Sequence, residues 1–347
     1  MDSKKYVTRI QSAFSISKMP RVMAMLPILI VALGATTLAQ NSNGDAAETM
    51  VVTAERRLVL NVPRDYATIQ AAVDAAAEGD IVQVAAGLYN EKVVVSTSGV
   101  RLHAEAGVVL DGTGFNGIGI SVRGASADSP VTSVEVSGFE VRNFESGIMV
   151  EFAVNAAIHR NEVHLNVDKV PPIVLGDGIG IQLFETRLSE VSQNLVHGNG
   201  DTGIFLRAGA AQNSVRANRI IGNGTQRMTS LNGAGIAFTG ANTHYNRVSE
   251  NEVIGNYGRG IRLTRPVGTA PLTGNLIEQN RVHDNYRSGI SIMTAAVNNI
   301  VQHNDARWNN ISGLPPCYQC NLFEMVVGTN TWLRNLGTSN LTDACAQ

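Results

Sequence analysis

Asn194-Leu195-Val196-His197-Gly198-Asn199-Gly200-Asp201-Thr202-Gly203-Ile204-Phe205-Leu206-Arg207 is one copy of a pattern that recurs down the chain. A Gly-Ile pair or its equivalent stands at Gly147, Gly178, Gly203, Gly235, Gly260, Gly289 and, as Gly-Leu, Gly313, with spacings of 31, 25, 32, 25, 29 and 24 residues. Between these pairs stand asparagines five apart: Asn161/Asn166, Asn194/Asn199, Asn218/Asn223, Asn251/Asn256, Asn280/Asn285, Asn304/Asn309 and Asn330/Asn335. Self-similarity near 24 residues with insertions predicts stacked units, none of which buries its apolar face alone. After each Gly, apolar residues alternate (Ile204/Leu206, Ile236/Phe238, Ile261/Leu263), which predicts a short strand with one buried face. Further apolar positions near Val191 and Val196 and their copies supply two more strands per unit. Three short strands in about 24 residues make one turn of a parallel β-helix. The leucine framework of leucine-rich repeats is missing, and helical repeats would read at a period of 3.6. Asparagines at one register in successive coils predict an internal ladder, each amide bonding its copy about 4.8 Å away. They hold turns and are assigned no chemistry.

Residues 1–39 read as a secretory signal peptide: a basic lead (Lys4, Lys5, Arg9, Lys18, Arg21), an apolar run from Val22 to Leu33, and a small-residue site at Thr37-Leu38-Ala39. The run is too short to span a bilayer comfortably, so a secreted or periplasmic protein without membrane attachment is expected. Removing five bases and one acid from 27 and 29 leaves 22 and 28, a net charge of −6. That balance, with no basic run, excludes nucleic acid as a partner class. Residues 40–60 are polar and expected to be loose, and residues 61–347 form one elongated domain, expected to be monomeric. A helix is predicted from Thr68, its N-cap, to Gly79, its terminator, with Ile69, Ala72, Val73 and Ala76 facing inward. It would close the exposed end of the coil. Strands follow at Ile81–Val84, Lys92–Val95, Val100–His103 and Val108–Leu110.

Thr68-Ile69-Gln70-Ala71-Ala72, Gly79-Asp80-Ile81-Val82-Gln83-Val84 and Gly87-Leu88-Tyr89-Asn90-Glu91, taken with the repeats, resemble the opening of right-handed, pectin-lyase-like parallel β-helix proteins. The resemblance covers about residues 60–340. It implies an all-β, single-stranded right-handed parallel β-helix with an N-terminal capping helix. It does not single out an activity, because the same fold serves lyases, esterases, epimerases and proteins without catalysis. Cys317-Tyr318-Gln319-Cys320, Asn330-Thr331-Trp332 and Cys345 resemble the closing motif of secreted bacterial β-helix repeat proteins, implying a disulfide from Cys345 to Cys320 or Cys317 that pins the tail.

Residues two and four after each Gly are expected to face outward. The first outward column then reads Met149, Gly180, Phe205, Ala237, Arg262, Ser291, and the second Glu151, Gln182, Arg207, Thr239, Thr264, Met293. The turn before the strand adds Glu145, Asp177, Asp201, Arg259 and Arg287. Acids, amides, arginines and a phenylalanine on one flank suit hydroxyls and carboxylates, since Arg grips carboxylates in a two-pronged way. Two long loops, Val167–Gly176 and Gly224–Gly233, are expected to wall this floor on either side of the Gly203 coil. The partner expected there is an anionic, uronate-containing polysaccharide, with Glu151, Gln182, Phe205 and Arg262 binding it. If the protein is an enzyme, it is lyase-like: Arg207 or Lys169 takes the C5 proton in a β-elimination, with Ca²⁺ on Asp177 and Asp201. The Asp-Pro-His-Asp run of mannuronan epimerases and the Asn-Thr-Asp run of polygalacturonases are absent. The competing reading is a non-catalytic secreted or periplasmic recognition or accessory protein. His164, His197 and His283 share one register of another face, interrupted by Ile221 and Ile254, and read as surface residues.

Overall fold

The computed structural model describes residues 57–169, 178–227, 233–264, 270–293, 296–312 and 320–339. The segment expected to be a signal peptide, Asp177, Cys317 and Cys345 lie outside them. Three parallel sheets of eleven, eight and nine strands run the length of the coil. Each full turn visits them in order. One turn uses Glu190–Ser192 in the first sheet, Leu195–His197 in the second and Thr202–Arg207 in the third. Every ladder between named strands is parallel, as a solenoid requires. The repeat period thus becomes the rise of one coil.

The inward faces carry the apolar residues of the repeat. Ile148, Ile181, Ile204, Ile236 and Ile261 are successive register partners, and none is exposed to solvent. The asparagines form three internal ladders, one more than the pairs five apart predict. Asn161–Asn194–Asn218–Asn251–Asn280–Asn304–Asn335 runs between the first and second sheets. Asn166–Asn199–Asn223–Asn256–Asn285–Asn309 runs between the second and third. Asn213–Asn246–Asn275–Asn299–Asn330 precedes the first sheet. Asn330 and Asn335 therefore belong to different ladders from the ones their spacing suggests. Before these asparagines the chain takes a left-handed residue, for example Gln193 at φ 56°, Ala217 at 52° and Glu250 at 60°. One such residue turns the strand sharply, and the amide that follows supplies the bonds the turn leaves open.

The helix spans Ile69–Ala75, shorter than its sequence signals predict. It breaks off at Ala76, whose extended backbone bonds Val73 O, and Gly79 serves the next turn at φ 87°. Thr68 caps it, accepting from Ala71 N at 3.1 Å, and the Glu91 carboxylate accepts from Ile69 N and Gln70 N at 2.9 Å each. The helix packs against the strands Val59–Val62, Ile81–Val84 and Val93–Val95. The first strand begins at Val59, inside the segment expected to be loose.

Candidate metal and ligand sites

The third sheet's outer face holds the predicted groove, with one change of register. Gly176-Asp177-Gly178-Ile179-Gly180-Ile181 offers two Gly-Ile frames, and the fold uses the second: Ile181, not Ile179, pairs with Ile148 and Ile204. Gln182 therefore joins Met149 and Phe205, while Phe184 stands between Glu151 and Arg207. The stripe so formed reads Arg123, Glu151, Phe184, Arg207, Thr239. Arg123 pairs with Glu151 at 3.1 Å. The Arg207 guanidinium lies 5.6 Å from the ring centres of both Phe184 and Phe205, and Phe152 meets Phe184 edge-on at 5.9 Å. The inner column is less open than predicted: Gln182 is 5% exposed and Ala237 and Ser291 are 0% exposed.

Lys169 does not reach over the Gly203 coil. Its ammonium donates to the carbonyls of Gly112 at 2.9 Å, Phe115 at 2.6 Å and Asn143 at 2.5 Å, so its three hydrogens tie the loop to the two preceding coils. With all three hydrogens committed to carbonyls of earlier coils, the ammonium is not placed to meet a substrate over the Gly203 coil. Asp201 is buried and paired with Arg227 at 3.2 Å, and Thr202 Oγ1 donates to it at 3.2 Å. A carboxylate neutralised by a guanidinium is a poor Ca²⁺ ligand. Its expected companion Asp177 falls outside the described residues. The two expected walls meet rather than stand apart: Gln226 accepts from Asp168 N at 2.8 Å and donates to Asp168 O at 2.9 Å. Cys320 is buried, and the expected bridge to Cys345 falls outside the described residues.

The second sheet carries a group that sequence reasoning passed over. His164 and His197, read from the sequence as surface residues of one register, are direct register partners on adjacent coils. Their rings stack at 4.6 Å and 10°. Glu140 Oε1 lies 3.1 Å from His164 Nε2, and Glu162 Oε1 lies 3.0 Å from His197 Nε2. Ligand atoms of Glu162, His164 and His197 all lie within 4.8 Å of one another. Two imidazole nitrogens and a carboxylate oxygen suit Cu²⁺ or Zn²⁺ better than Ca²⁺, which prefers an all-oxygen shell.

On the first sheet one Glu135 oxygen lies 3.0 Å from His103 Nε2 and 2.8 Å from His159 Nε2. Burial would raise the Glu135 carboxyl, but the hydrogen bond from His159 and the charge and hydrogen bond of His103 outweigh it and hold the pKa below its ordinary value. A surface depression of about 590 Å³ runs past His159, Arg160, Glu190 and Arg216 beside this cluster.

The domain of tailspike protein 2 from bacteriophage CBA120 described as enzymatically active superposes with a TM-score of 0.53 at 11% identity, covering 82% of this chain and 45% of that one. The A-module of an Azotobacter vinelandii mannuronan C-5 epimerase gives 0.47 at 15% identity, over 77% of this chain and 90% of that one. A periplasmic alginate epimerase gives 0.48 at 16% identity, over 74% and 61%. At such identities the likeness is one of fold, the right-handed parallel β-helix. No curated protein sequence matches the chain. The family model that does match spans residues 72–313, most of the coil, and so the chain belongs to the NosD family, described as periplasmic copper-binding proteins.

Proposed function

We propose that the protein is a periplasmic, non-catalytic accessory β-helix that holds a transition-metal ion, copper first among them, at Glu162, His164 and His197. One observation carries this reading: among the described residues these three form the one group of three whose ligand atoms all lie within 4.8 Å of one another. The family description supports the choice of metal. Rigid register does the positioning, since His164 and His197 sit on neighbouring rungs whose backbones are fixed by the sheet. Glu140 stands beside His164 and helps fix its ring. Titrating Cu²⁺ into the protein, followed by calorimetry and by the nitrogen hyperfine pattern in electron paramagnetic resonance, tests this. The double variant His164→Ala/His197→Ala is expected to lose at least about 100-fold in affinity, beyond what loss of an outer partner costs, and to lose the two-nitrogen pattern. Unchanged affinity and spectrum in that variant would overturn the assignment.

A second reading is favoured by the arginine between two rings. Arg207, Phe184, Phe205 and the Arg123–Glu151 pair offer flat faces and charge to a polysaccharide lying across the coils. A uronate-containing chain would put its carboxylates on the arginines. Of the two residues expected to act as a base, Lys169 is committed to three carbonyls, and this reading uses Arg207 as a carboxylate anchor. Arg207→Ala is expected to weaken alginate or pectate oligomers about tenfold, the worth of about 1.4 kcal/mol, while Arg216→Ala on the first sheet leaves affinity unchanged. Equal affinity in wild type and Arg207→Ala would remove this reading and leave the metal site standing.

A further inference from the structure

The depression of about 590 Å³ on the first sheet is used by neither reading above. Its floor is low because small residues, Ala157, Ser192 and Ser214, stand where neighbouring coils carry Glu135, His159 and Arg216. Its two ends differ in charge. Glu135 closes one end: its Oε1 meets both imidazoles, and Arg101 Nε stays 3.9 Å from its Oε2. At the other end Arg160 and Arg216 converge on the coil of Glu190 from its two sides. Arg160 Nε donates to Gln193 Oε1 at 3.2 Å from the coil before, and Arg216 Nη2 donates to Glu190 Oε1 at 2.9 Å from the coil after. The remaining N–H groups of both arginines have no partner among the described residues.

Two guanidiniums therefore share one carboxylate. Burial would raise the Glu190 carboxyl, but the hydrogen bonds from Ser192 and Arg216 and the Arg216 charge outweigh it and hold its pKa below the ordinary value. Glu190 is thus charged at neutral pH, and this end keeps an excess of one positive charge. Glu135 pairs in register with Ala157, and Ala157 with Glu190, so the ends lie two coil rises apart, about 10 Å. Leu188 stands on the rim between them, 57% exposed and in the left-handed backbone region at φ 53°. Most of this branched apolar side chain is left in water by the described residues.

We propose that the depression binds a short peptide by its charged termini, the ammonium at Glu135 and the carboxylate at Arg160 and Arg216, with an apolar side chain against Leu188. Three residues of extended chain span about 10 Å, which matches the separation of the two ends. A guanidinium takes a carboxylate in a two-pronged way, and the second oxygen of Glu135 has capacity to accept from an ammonium. A single amino acid is too short to reach both ends. The interior of a long chain carries no charged termini to place there. The site lies on the first sheet, away from the His164–His197 pair and the Arg207 stripe, and rests on neither reading above.

Calorimetry with the tripeptide Ala-Leu-Ala, its N-acetyl form, its C-terminal amide and the doubly blocked form tests this. Blocking either terminus is expected to weaken binding about tenfold, the worth of a hydrogen bond to a charged group. Arg160→Ala should weaken the free tripeptide by about the same factor and narrow the gap between the free and amidated forms. Leu188→Ser should weaken Ala-Leu-Ala and leave Ala-Gly-Ala unchanged. Both residues are exposed, so both variants should melt at the wild-type temperature, showing that they fold. No binding of Ala-Leu-Ala to the wild type, equal affinity for the free and doubly blocked peptides, or wild-type affinity in Arg160→Ala would overturn the proposal.

Discussion

Asn223→Ala should destabilise the coil by about 3–9 kcal/mol, from three buried groups each left unsatisfied at about 1–3 kcal/mol. Asn223 Oδ1 accepts from Asn199 Nδ2 at 2.8 Å and Asn199 N at 3.2 Å, and its Nδ2 donates to Val196 O at 3.1 Å and Asn256 Oδ1 at 3.0 Å. Alanine keeps the backbone bond from residue 223 to Asn256 Oδ1 but strands both Asn199 donors and the Val196 carbonyl. The site is 0% exposed, so water does not replace the amide. Asn223→Asp should also destabilise, because a carboxylate accepts from Asn199 but donates to neither Val196 nor Asn256. Thr239→Ala, on the outer face of the third sheet, should cost about 0.5 kcal/mol or less. Urea unfolding of the three variants measures the differences. An Asn223→Ala cost no larger than that of Thr239→Ala would mean the ladder contributes register and not stability.

The coil was legible because its physics repeats. A strand with one buried face writes period two, and a turn that opens the same backbone groups in every coil writes an asparagine at the same place. The third ladder was written in the same spacing, since Asn213, Asn246, Asn275 and Asn299 each stand five residues before a first-ladder asparagine, but the two coils that open the pair series, at Asn161 and Asn194, have no asparagine at that place, and so the pattern was read as pairs. The frame of Gly178 against Gly180 was ambiguous for a similar reason. Both fit the local alternation, and only pairing with Ile148 and Ile204 decides between them.

The candidate sites were legible as faces and not as contacts. Arg207 and Phe205 were placed on the outer face, and they lie together there with Phe184. Lys169 was placed in the right loop, but the direction of a long side chain is set by the acceptors it meets, and three carbonyls of earlier coils claim it. Asp201 was read as a metal ligand because acids near a groove suggest one, while its true partner, Arg227, comes from a one-turn 3-10 segment at Thr225–Arg227 that no periodicity announces. The shared register of His164 and His197 was legible, but the ring stacking and the approach of Glu162 that turn it into a candidate site are side-chain contacts that spacing does not carry.

Gly203→Ala should cost about 3 kcal/mol, the upper end of overpacking a well-filled core. A Cβ at this position would stand 2.7 Å from Gly235 O, 2.7 Å from Ile220 Cγ2 and 2.9 Å from Asn223 Nδ2. The first neighbour is backbone of the next coil and the last is a ladder amide, so neither yields without breaking the stacking. The side-chain direction of this residue thus points into the coil, as does that of Ile204 after it, and only a residue without a side chain permits two inward positions in succession. This is the physical reason for the Gly-Ile repeat: the glycine lets the chain bend from the second sheet into the third while the isoleucine stays in the core. Gly222, in the turn between the second and third sheets one coil later, makes the contrast. It has a φ of 59° and open space around its Cβ position, and its counterpart two coils earlier is Leu165 at 53°. Gly222→Ala should therefore cost under about 1 kcal/mol, the left-handed backbone penalty being partly offset by a less flexible unfolded chain. Matched urea melts of the two variants decide it, and a Gly222→Ala cost equal to that of Gly203→Ala would show that backbone freedom, not the missing side chain, is what the repeat requires.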